Sequence, residues 1–178
     1  FQNDAILISS KTLINDNPLL TCRINGLQKY SPTRIILDKN LDIPVNSKIA
    51  QTSNIYKTLV FYNKNKSEKI KILKKRGLKL FFFDLDDKKN FNLKKIFKKI
   101  YQLKYSRLLV EGGRTLTKSM VDKSLIDEFY LFKSELKLKK SGKLNVNKIL
   151  KKINTFSKGK RSIIVNLDKN KLLNYSFN

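Results

Sequence analysis

Residues 106–116 read Ser-Arg-Leu-Leu-Val-Glu-Gly-Gly-Arg-Thr-Leu, and this stretch decides the fold assignment. A short apolar run ends in the carboxylate of Glu111 and two adjacent glycines, and a helix-like segment follows. Glycine lets the backbone approach a ligand closely, and a following helix would direct free N–H groups and a positive dipole end at the same place. The corner therefore suits the phosphates of a nucleotide. The alternative is a tight strand-to-helix turn that needs glycine for steric reasons alone.

Length and composition fit one globular domain. The chain has 178 residues, of which 40% are hydrophobic and 10% aromatic, enough to build a single core. Its longest strongly apolar run, around residues 78–83, is far short of the ~20 residues that a membrane helix needs. The single cysteine, Cys22, allows no internal disulfide. We therefore expect a cytoplasmic protein without a membrane partner.

The sequence contains no histidine, and this excludes several chemistries. A Ser-His-Asp triad and a Cys-His pair are impossible, and so is a zinc site built from histidine and cysteine. We expect no metal site. Proton transfer would have to use carboxylates, lysine, tyrosine or water, and the sequence assigns no particular residue as catalytic.

The net charge of +25 raises the possibility of a nucleic-acid-binding module. However, 33 of the 39 basic residues are lysine and six are arginine, whereas arginine is the residue best suited to bidentate recognition of bases and phosphates. The lysines recur as pairs along the whole chain. The pattern favours a solvated basic surface produced by composition, with no specific nucleic-acid partner. A basic binding module stays open as the alternative.

The order of apolar runs predicts an α/β fold with a mostly parallel, mixed sheet. Strands are predicted at 5–8, 34–37, 58–61, 78–83, 107–110 and 127–132. Helices are predicted at 67–75, 93–103 and 115–123. Two further runs, 163–167 and 172–177, flank a turn sequence and predict a closing antiparallel hairpin.

Two segments read as irregular. Asn15-Asp16-Asn17-Pro18 is typical of a turn or loop. Residues 137–161 are rich in lysine with weak periodicity, and we expect a mobile surface segment there.

Three segments in order carry a resemblance to a known family. The first is residues 4–23, the second is Pro32-Thr33-Arg34-Ile35-Ile36-Leu37-Asp38 with Leu41 and Pro44, and the third is residues 109–116 followed by Leu125-Ile126-Asp127-Glu128. Together they resemble the reductase domain of the riboflavin-biosynthesis bifunctional deaminase-reductase, from about residue 4 to residue 142. The resemblance implies a dihydrofolate-reductase-like, three-layer α/β/α fold. It also implies NADPH-dependent reduction of 5-amino-6-(5-phosphoribosylamino)uracil to its ribitylamino form.

The resemblance also implies site residues. Those that would contact NADPH are Thr12, Asp16, Gly113, Arg114, Thr115, Leu116, Thr117, Lys118 and Ser119. Those that would contact the phosphoribosylamino-pyrimidine substrate are Leu20, Arg23 and Glu111, with Arg23 on its phosphate. From the residues alone, the favoured interpretations are structural: Thr12 as a helix cap, Asp16 as a turn former and Arg23 as a surface arginine. For Glu111 the structural alternative is a carboxylate that bonds the backbone of the glycine turn.

The chain departs from the family pattern in two places. The family domain begins earlier, so residues 1–178 would be a single reductase domain without its first strand and helix, with a zinc deaminase domain upstream of Phe1. Lys39 stands where the family often has serine; it would pair with the 2′-phosphate of NADPH or face solvent, and we favour solvent. The resemblance implies a homodimer. An inactive relative of the same fold is a second alternative.

Overall fold

The computed structural model describes residues 3–134, 145–164 and 170–177. The chain folds into two compact units, Phe1–Gly113 and Arg114–Asn178. The first unit contains a parallel sheet and the second an antiparallel one.

The sheet of the first unit has five parallel strands in the order β4-β3-β2-β1-β5. The strands are β1 (Ala5–Ser9), β2 (Thr33–Leu37), β3 (Thr58–Tyr62), β4 (Lys79–Phe82) and β5 (Leu108–Glu111). β1 lies between β2 and β5, and Ile8 is in register with Ile36 on one side and Glu111 on the other. Because the strands are parallel, their carboxyl ends lie along one edge of the sheet.

Helices cover both faces of this sheet. They are α1 (Ser10–Asp16), α2 (Lys48–Gln51), α3 (Ser67–Lys75) and α4 (Leu93–Gln102), with a 3-10 turn at Gln28–Tyr30. Leu13 of α1 and Leu73 of α3 are buried in one cluster with alternate residues of β1, β2 and β3. On the other face Phe61 and Phe81 stack at 5.4 Å, and Lys99 of α4 lies over the Phe81 ring. The sheet of the first unit is therefore the middle of three layers.

The edge strand β4 is less protected than its neighbours. Its outer side has no strand partner in the part of the chain that the structure describes. Phe82 packs edge-on against Tyr62 at 5.7 Å between ring centroids, yet 53% of its surface is exposed.

The second unit contains α5 (Arg114–Asp122), β6 (Glu128–Lys133), α6 (Asn147–Phe156), β7 (Gly159–Ile163) and β8 (Lys171–Ser176). Its strands pair in the antiparallel order β6-β8-β7. Val121 of α5 and Ile149 and Ile153 of α6 are buried against Tyr175 of β8.

An ion-pair bridge joins α5 to α6 within the second unit. The carboxylate of Asp122 lies 2.5 Å from the ammonium groups of Lys118 and Lys152. Hydrogen bonds from these two lysines, first Lys118 and then Lys152, hold the pKa of Asp122 below its usual value. Lys118 is therefore already paired within its own helix.

The predicted α/β class is confirmed, and the parallel and antiparallel strands lie in two sheets. All six strands predicted between residues 5 and 132 are present, with ends that differ by at most one residue. The terminal hairpin is also present as β7 and β8, although its first strand lies about four residues earlier than predicted. Residues 165–169, which include most of the predicted turn, lie outside the described residues.

Two local predictions are wrong. The predicted loop at 15–18 begins too early, because α1 continues through Asp16 and the chain turns at Asn17, whose φ is 41°. The mobile segment predicted at 137–161 contains α6 and the start of β7. Its lysines obscure a buried pair at helical spacing, Ile149 and Ile153, which holds α6 on the sheet. Residues 137–144 of that segment lie outside the described residues.

Gly77 ends α3 under two constraints, and its substitution tests both. Its φ is +92°, and a Cβ there would lie 3.3 Å from the backbone of Ser53 and Asn54. We expect Gly77→Ala to lower the free energy of unfolding by roughly 2 kcal/mol or more, from left-handed strain plus overpacking. Gly26 has φ +80° with open space around it, so Gly26→Ala is the matched control and carries only the strain. Equal losses in urea denaturation would show that the close approach contributes nothing.

Asp4 joins the amino ends of β1 and β5, and this contact predicts a pH dependence. Its Oδ2 accepts hydrogen bonds from the backbone N–H groups of Ser106 and Arg107, both at 2.8 Å. These bonds, with that of Arg107 the larger, lower the pKa of Asp4 from 3.8. A lowered pKa in the folded state stabilises the protein above the unfolded value, and this contribution is lost as the pH falls through the folded value.

We therefore expect Asp4→Asn to unfold at lower urea than the wild type at pH 7, with a deficit that shrinks below about pH 3.8. Asp87→Asn removes an exposed carboxylate that makes no hydrogen bond or ion pair with the described residues, and it is the control. A deficit that does not change with pH would contradict the assignment.

Candidate active site

The carboxyl edge of the parallel sheet brings two predicted site segments together. Ile8 and Glu111 are register partners on β1 and β5, so their backbones lie about 4.8 Å apart. One residue further, β1 gives way to α1. Ligands of parallel α/β sheets bind beyond the carboxyl ends of the strands. Glu111 and the start of α1 are thus neighbours at the edge where such a ligand would lie.

Thr12 lies in the first turn of α1 and does not cap it. Ser9 is the N-cap residue, and its Oγ accepts a hydrogen bond from the Thr12 N–H at 3.4 Å. The Thr12 hydroxyl lies 3.2 Å from the same oxygen and is half-buried. Since Ser9 performs the capping, the structural alternative for Thr12 is wrong, and its hydroxyl keeps capacity for a second hydrogen bond.

Asp16 is the last residue of α1, four positions after Thr12 and so on the same side of the helix. The turn is made by its neighbour Asn17, which adopts the left-handed conformation and accepts a hydrogen bond from the Lys48 N–H at 2.9 Å. Asp16 is exposed, and its side chain makes no hydrogen bond or ion pair with the described residues. A carboxylate at a helix C-terminus opposes the helix dipole, so Asp16 serves no evident structural purpose.

Leu20 and Arg23 lie in the segment 18–23, which contains no helix or strand. Leu20 has φ 54°, a left-handed value that is unusual for leucine, and its side chain packs against the buried cluster of the first unit. Arg23 is exposed and forms no ion pair or hydrogen bond within the described part of the chain. Its guanidinium is available to an anion.

The Glu111 corner contains a glycine, Gly113, that neither backbone conformation nor packing requires. Glu111 is exposed at the end of β5. Gly113 does not have a left-handed φ, and a Cβ built on it meets no atom within 4 Å. Neither backbone conformation nor packing therefore requires glycine at this position, and the steric-turn interpretation loses its support at Gly113. A side chain at position 113 would project into open space.

Helix α5 begins directly after this glycine, one residue earlier than predicted. Arg114 and Thr115 in its first turn are exposed, while Leu116, Thr117 and Ser119 are half-buried. The first turn contains no acidic residue. Lys118 differs from these candidates, because its ammonium is paired with Asp122 one turn toward the C-terminus and is directed away from the first turn.

The basic charge of the first unit does not form one stripe. Helices α3 and α4 both carry several exposed lysines, yet they cover opposite faces of the sheet. Lys39, at the carboxyl end of β2, donates a hydrogen bond to the Lys89 carbonyl at 3.2 Å. Within residues 3–134, 145–164 and 170–177, no group of three histidine, cysteine or acidic side chains could hold a metal ion. Over the same ranges no helix has both the length and the apolarity of a membrane span.

One buried residue near these segments could not be singled out from the sequence. Arg34 in β2 is completely buried, and one of its hydrogen bonds goes to the Leu19 carbonyl at 3.2 Å. The only signal was its position at the start of an otherwise apolar strand, Thr33–Leu37. An arginine there normally reads as a strand end near solvent.

Solved structures share this fold. A pyrimidine reductase-like protein from Corynebacterium diphtheriae matches 98% of this chain and 75% of its own, with a TM-score of 0.73 and 15% identity. The riboflavin biosynthesis reductase Rib7 of Saccharomyces cerevisiae matches the same shares with a TM-score of 0.70 and 19% identity. The fold is therefore the dihydrofolate-reductase-like α/β fold that the sequence segments implied.

The chain belongs to the RibD C-terminal domain family, whose profile matches residues 2–134. The riboflavin biosynthesis protein RibD of Aquifex aeolicus is 38% identical over 129 residues, which cover 72% of this chain and 34% of that protein. The 5-amino-6-(5-phosphoribosylamino)uracil reductase of Buchnera aphidicola is 27% identical over 144 residues, 74% of this chain and 65% of that protein. The chain thus spans about a third of the length of the RibD protein from Aquifex. The family resemblance is confirmed, and its members are pyrimidine reductases of riboflavin biosynthesis.

The open space at Gly113 predicts that its substitution is structurally silent. We expect Gly113→Ala to leave the free energy of unfolding within about 0.5 kcal/mol of the wild type, because neither strain nor overpacking opposes the added methyl group. Gly77→Ala in the same urea series is the contrast. A large loss at Gly113 would restore the steric-turn interpretation of the glycine pair.

Proposed function

We propose that this chain carries the reductase site of its family and reduces 5-amino-6-(5-phosphoribosylamino)uracil to the ribitylamino form with NADPH. The observation that carries the proposal is the Glu111 corner, where an exposed carboxylate is followed by Gly113, a glycine with open space at its Cβ position. A side chain there would fill the space through which a cofactor approaches the backbone.

Each unit contains proposed cofactor residues whose chemistry suits part of a dinucleotide. The first turn of α5, from Arg114 to Leu116, offers backbone N–H groups and no acidic side chain, which suits a pyrophosphate. Thr12 and Asp16 on α1 supply a hydroxyl and a carboxylate that can bond cofactor amide or ribose hydroxyl groups. Thr117, Lys118 and Ser119 complete the proposed cofactor set. Of these, Lys118 would have to leave Asp122 to reach a phosphate.

Three residues are proposed to hold the pyrimidine substrate. Arg23, exposed and without an internal partner among the described residues, binds the phosphate through its planar fork. Glu111 accepts hydrogen bonds from sugar hydroxyls or the pyrimidine ring. Leu20 presents an apolar surface that the core holds in place. In this arrangement the substrate phosphate contacts the Arg23 guanidinium, and the sugar hydroxyls contact the Glu111 carboxylate.

In the proposed reaction the main task of the protein is to position the substrate and the cofactor. NADPH, when bound, would supply a hydride to C1′ of the ring-opened sugar and become NADP⁺, and a proton from solvent water would complete the reduction. The side chains orient the sugar, hold its phosphate and exclude competing geometries. A site without histidine is compatible with this role, because no protein nucleophile takes part. The proposed homodimer does not enter these steps.

The basic-module alternative is weaker on the structural observations. The lysines of α3 and α4 lie on opposite sides of the sheet, whereas a nucleic-acid track needs them along one surface. An inactive relative predicts no turnover even where the cofactor binds, so one experiment that measures both binding and turnover addresses both alternatives.

That experiment measures thermal stability and turnover of the chain with each ligand. We expect NADPH to raise the melting temperature more than NADH does, because a ligand of the folded state stabilises it by mass action. Gly113→Ala should melt like the wild type without ligand and lose most of the NADPH shift. Heparin alone raising the melting temperature would favour the basic module. An NADPH shift without oxidation of NADPH by the pyrimidine substrate would favour the inactive relative.

Arg23 provides a separate test of the substrate side. We expect Arg23→Ala to raise KM for the pyrimidine substrate by roughly tenfold or more, since a charge-assisted phosphate contact is lost, while the NADPH affinity stays within about twofold. Lys29→Ala removes the same charge from an exposed residue of the neighbouring 3-10 turn and is the matched control. An equal rise in KM for both variants would mean that Arg23 acts only through the general positive charge.

A further inference from the structure

Arg34 forms the most extensive polar contact in the interior of the first unit. Its side chain is completely buried, and the five N–H groups of its guanidinium make six hydrogen-bond contacts of 2.7–3.2 Å, with three acceptors sharing the two hydrogens of Nη2. The accepting atoms are Leu19 O, Ile49 O, Thr52 Oγ1, Tyr56 O and Thr58 Oγ1. The guanidinium also lies over the Tyr56 ring, 5.5 Å from its centroid. One side chain of β2 thus contacts both Leu19 and residues 49–58.

All five accepting atoms are neutral oxygens. Arg34 has no carboxylate within salt-bridge distance among the described residues. Burial lowers the pKa of Arg34 to about 10, so the group stays charged at neutral pH. A buried charge without a counter-ion costs desolvation that an apolar side chain of similar volume would avoid. Core stability alone is therefore a poor explanation for arginine at this position.

The contact with Leu19 gives a better explanation for an arginine at position 34. Leu19 O accepts from Nη1 at 3.2 Å, and this carbonyl belongs to the peptide group that leads into Leu20. The φ angle of Leu20 is the rotation about its N–Cα bond, and the nitrogen of that bond belongs to the Leu19–Leu20 peptide. A hydrogen bond that fixes the plane of this peptide therefore also restricts φ of Leu20. Leu20 has the left-handed φ of 54°, which costs about 1 kcal/mol or more unless the surroundings hold it.

The Leu20 side chain packs against the buried cluster of the first unit, but few hydrogen bonds hold the backbone of this segment. Between residues 18 and 23, one further hydrogen bond to the described residues ties the backbone, from the Cys22 N–H to Ser31 Oγ at 3.1 Å. That bond lies two residues beyond Leu20, whereas the Arg34 bond lies directly before it. Arg34 is thus the polar contact nearest to the left-handed residue.

We propose that Arg34 is a positioning residue of the substrate site: it fixes the Leu19–Leu20 peptide, and through it the left-handed Leu20 and the following Arg23. The inference rests on the proposed function for its substrate and on the contacts above for its geometry. Arginine suits the role because its rigid fork reaches acceptors in several directions at once, whereas lysine has one nitrogen on a flexible stem.

The two hydrogens of Nη1 allow a matched pair of variants. One hydrogen goes to Leu19 O and the other to Thr52 Oγ1, at 2.9 Å. Arg34→Lys removes the fork that reaches Leu19. Thr52→Val leaves the hydrogen bond from Nη1 to Leu19 O intact and removes the other acceptor of Nη1. It also removes the hydrogen bond from the Thr52 hydroxyl to the exposed Lys48 carbonyl. Both variants disturb the guanidinium site, but only the first releases the peptide before Leu20.

The experiment measures steady-state kinetics, NADPH affinity and amide hydrogen exchange of the full chain. We expect Arg34→Lys to raise KM for the pyrimidine substrate by roughly tenfold, with kcat and NADPH affinity within about threefold of the wild type. Amides of residues 19–24 should exchange at least about tenfold faster. Thr52→Val should leave both readouts within about threefold of the wild type. If Arg34→Lys does not melt cooperatively, the variant with an ester in place of the Leu19–Leu20 amide weakens the same acceptor and leaves Arg34 untouched.

The outcomes separate the two claims. Unchanged KM and unchanged exchange at residues 19–24 in a folded Arg34→Lys or ester variant would overturn the positioning role. Equal changes in Thr52→Val would overturn it too, because they would assign the effect to the core and not to the Leu19 peptide. Wild-type protein that does not reduce the substrate would refute the proposed function, and faster exchange confined to Arg34→Lys or the ester variant would still support the geometric part.

Discussion

The parallel pairing of β1 with strands on both sides is the constraint on which the rest of the first unit depends. The first four residues of β1 are buried. A shift of β1 by one residue against β2 or β5 would expose them, so the register of the strand is fixed. Because both neighbours run in the same direction, the chain leaves β1 and β5 at the same edge. Ser9 can then cap α1 beside Glu111, although about a hundred residues separate them in sequence.

Structural tasks at this edge are performed by residues next to the proposed functional ones. Ser9 caps α1 and Asn17 ends it, so Thr12 and Asp16 are not needed for either purpose. Arg34 fixes the backbone before Leu20, so Leu20 and Arg23 need not fix themselves. This division explains how exposed side chains without partners among the described residues can be held in defined places by a segment without regular structure.

The sequence predicted the strands well because their apolar runs are short, continuous and bounded by polar residues. It failed where the signal was local and brief. Helix α1 has seven residues and a single buried side chain, Leu13, and its last residues resemble a turn. In α6, lysines separate the two isoleucines that bury the helix. These elements form because the sheets hold them, which is a tertiary effect that propensity does not record.

The candidate site was predicted from the glycine pair and from family resemblance, and the structure adds what neither contained. No pattern in the sequence distinguishes the left-handed Leu20 from an ordinary leucine. Nor does any pattern show that a charged side chain, Arg34, lies inside the sheet with only neutral oxygens accepting its hydrogen bonds. Both depend on contacts between residues 15 to 22 positions apart, which become visible only once the chain is folded.

The lysine-rich composition has a further physical effect at the unpaired edge of β4. A strand whose outer side has no partner among the described residues, with a half-exposed Phe82, is a template on which another chain can add. Lys79 opens that strand, and the protein as a whole carries a charge of +25. Like charge on approaching copies opposes edge-to-edge association within a Debye length of about 8 Å at physiological salt. The lysine-rich composition thus opposes aggregation at the exposed edge of β4, whether or not it contributes to binding.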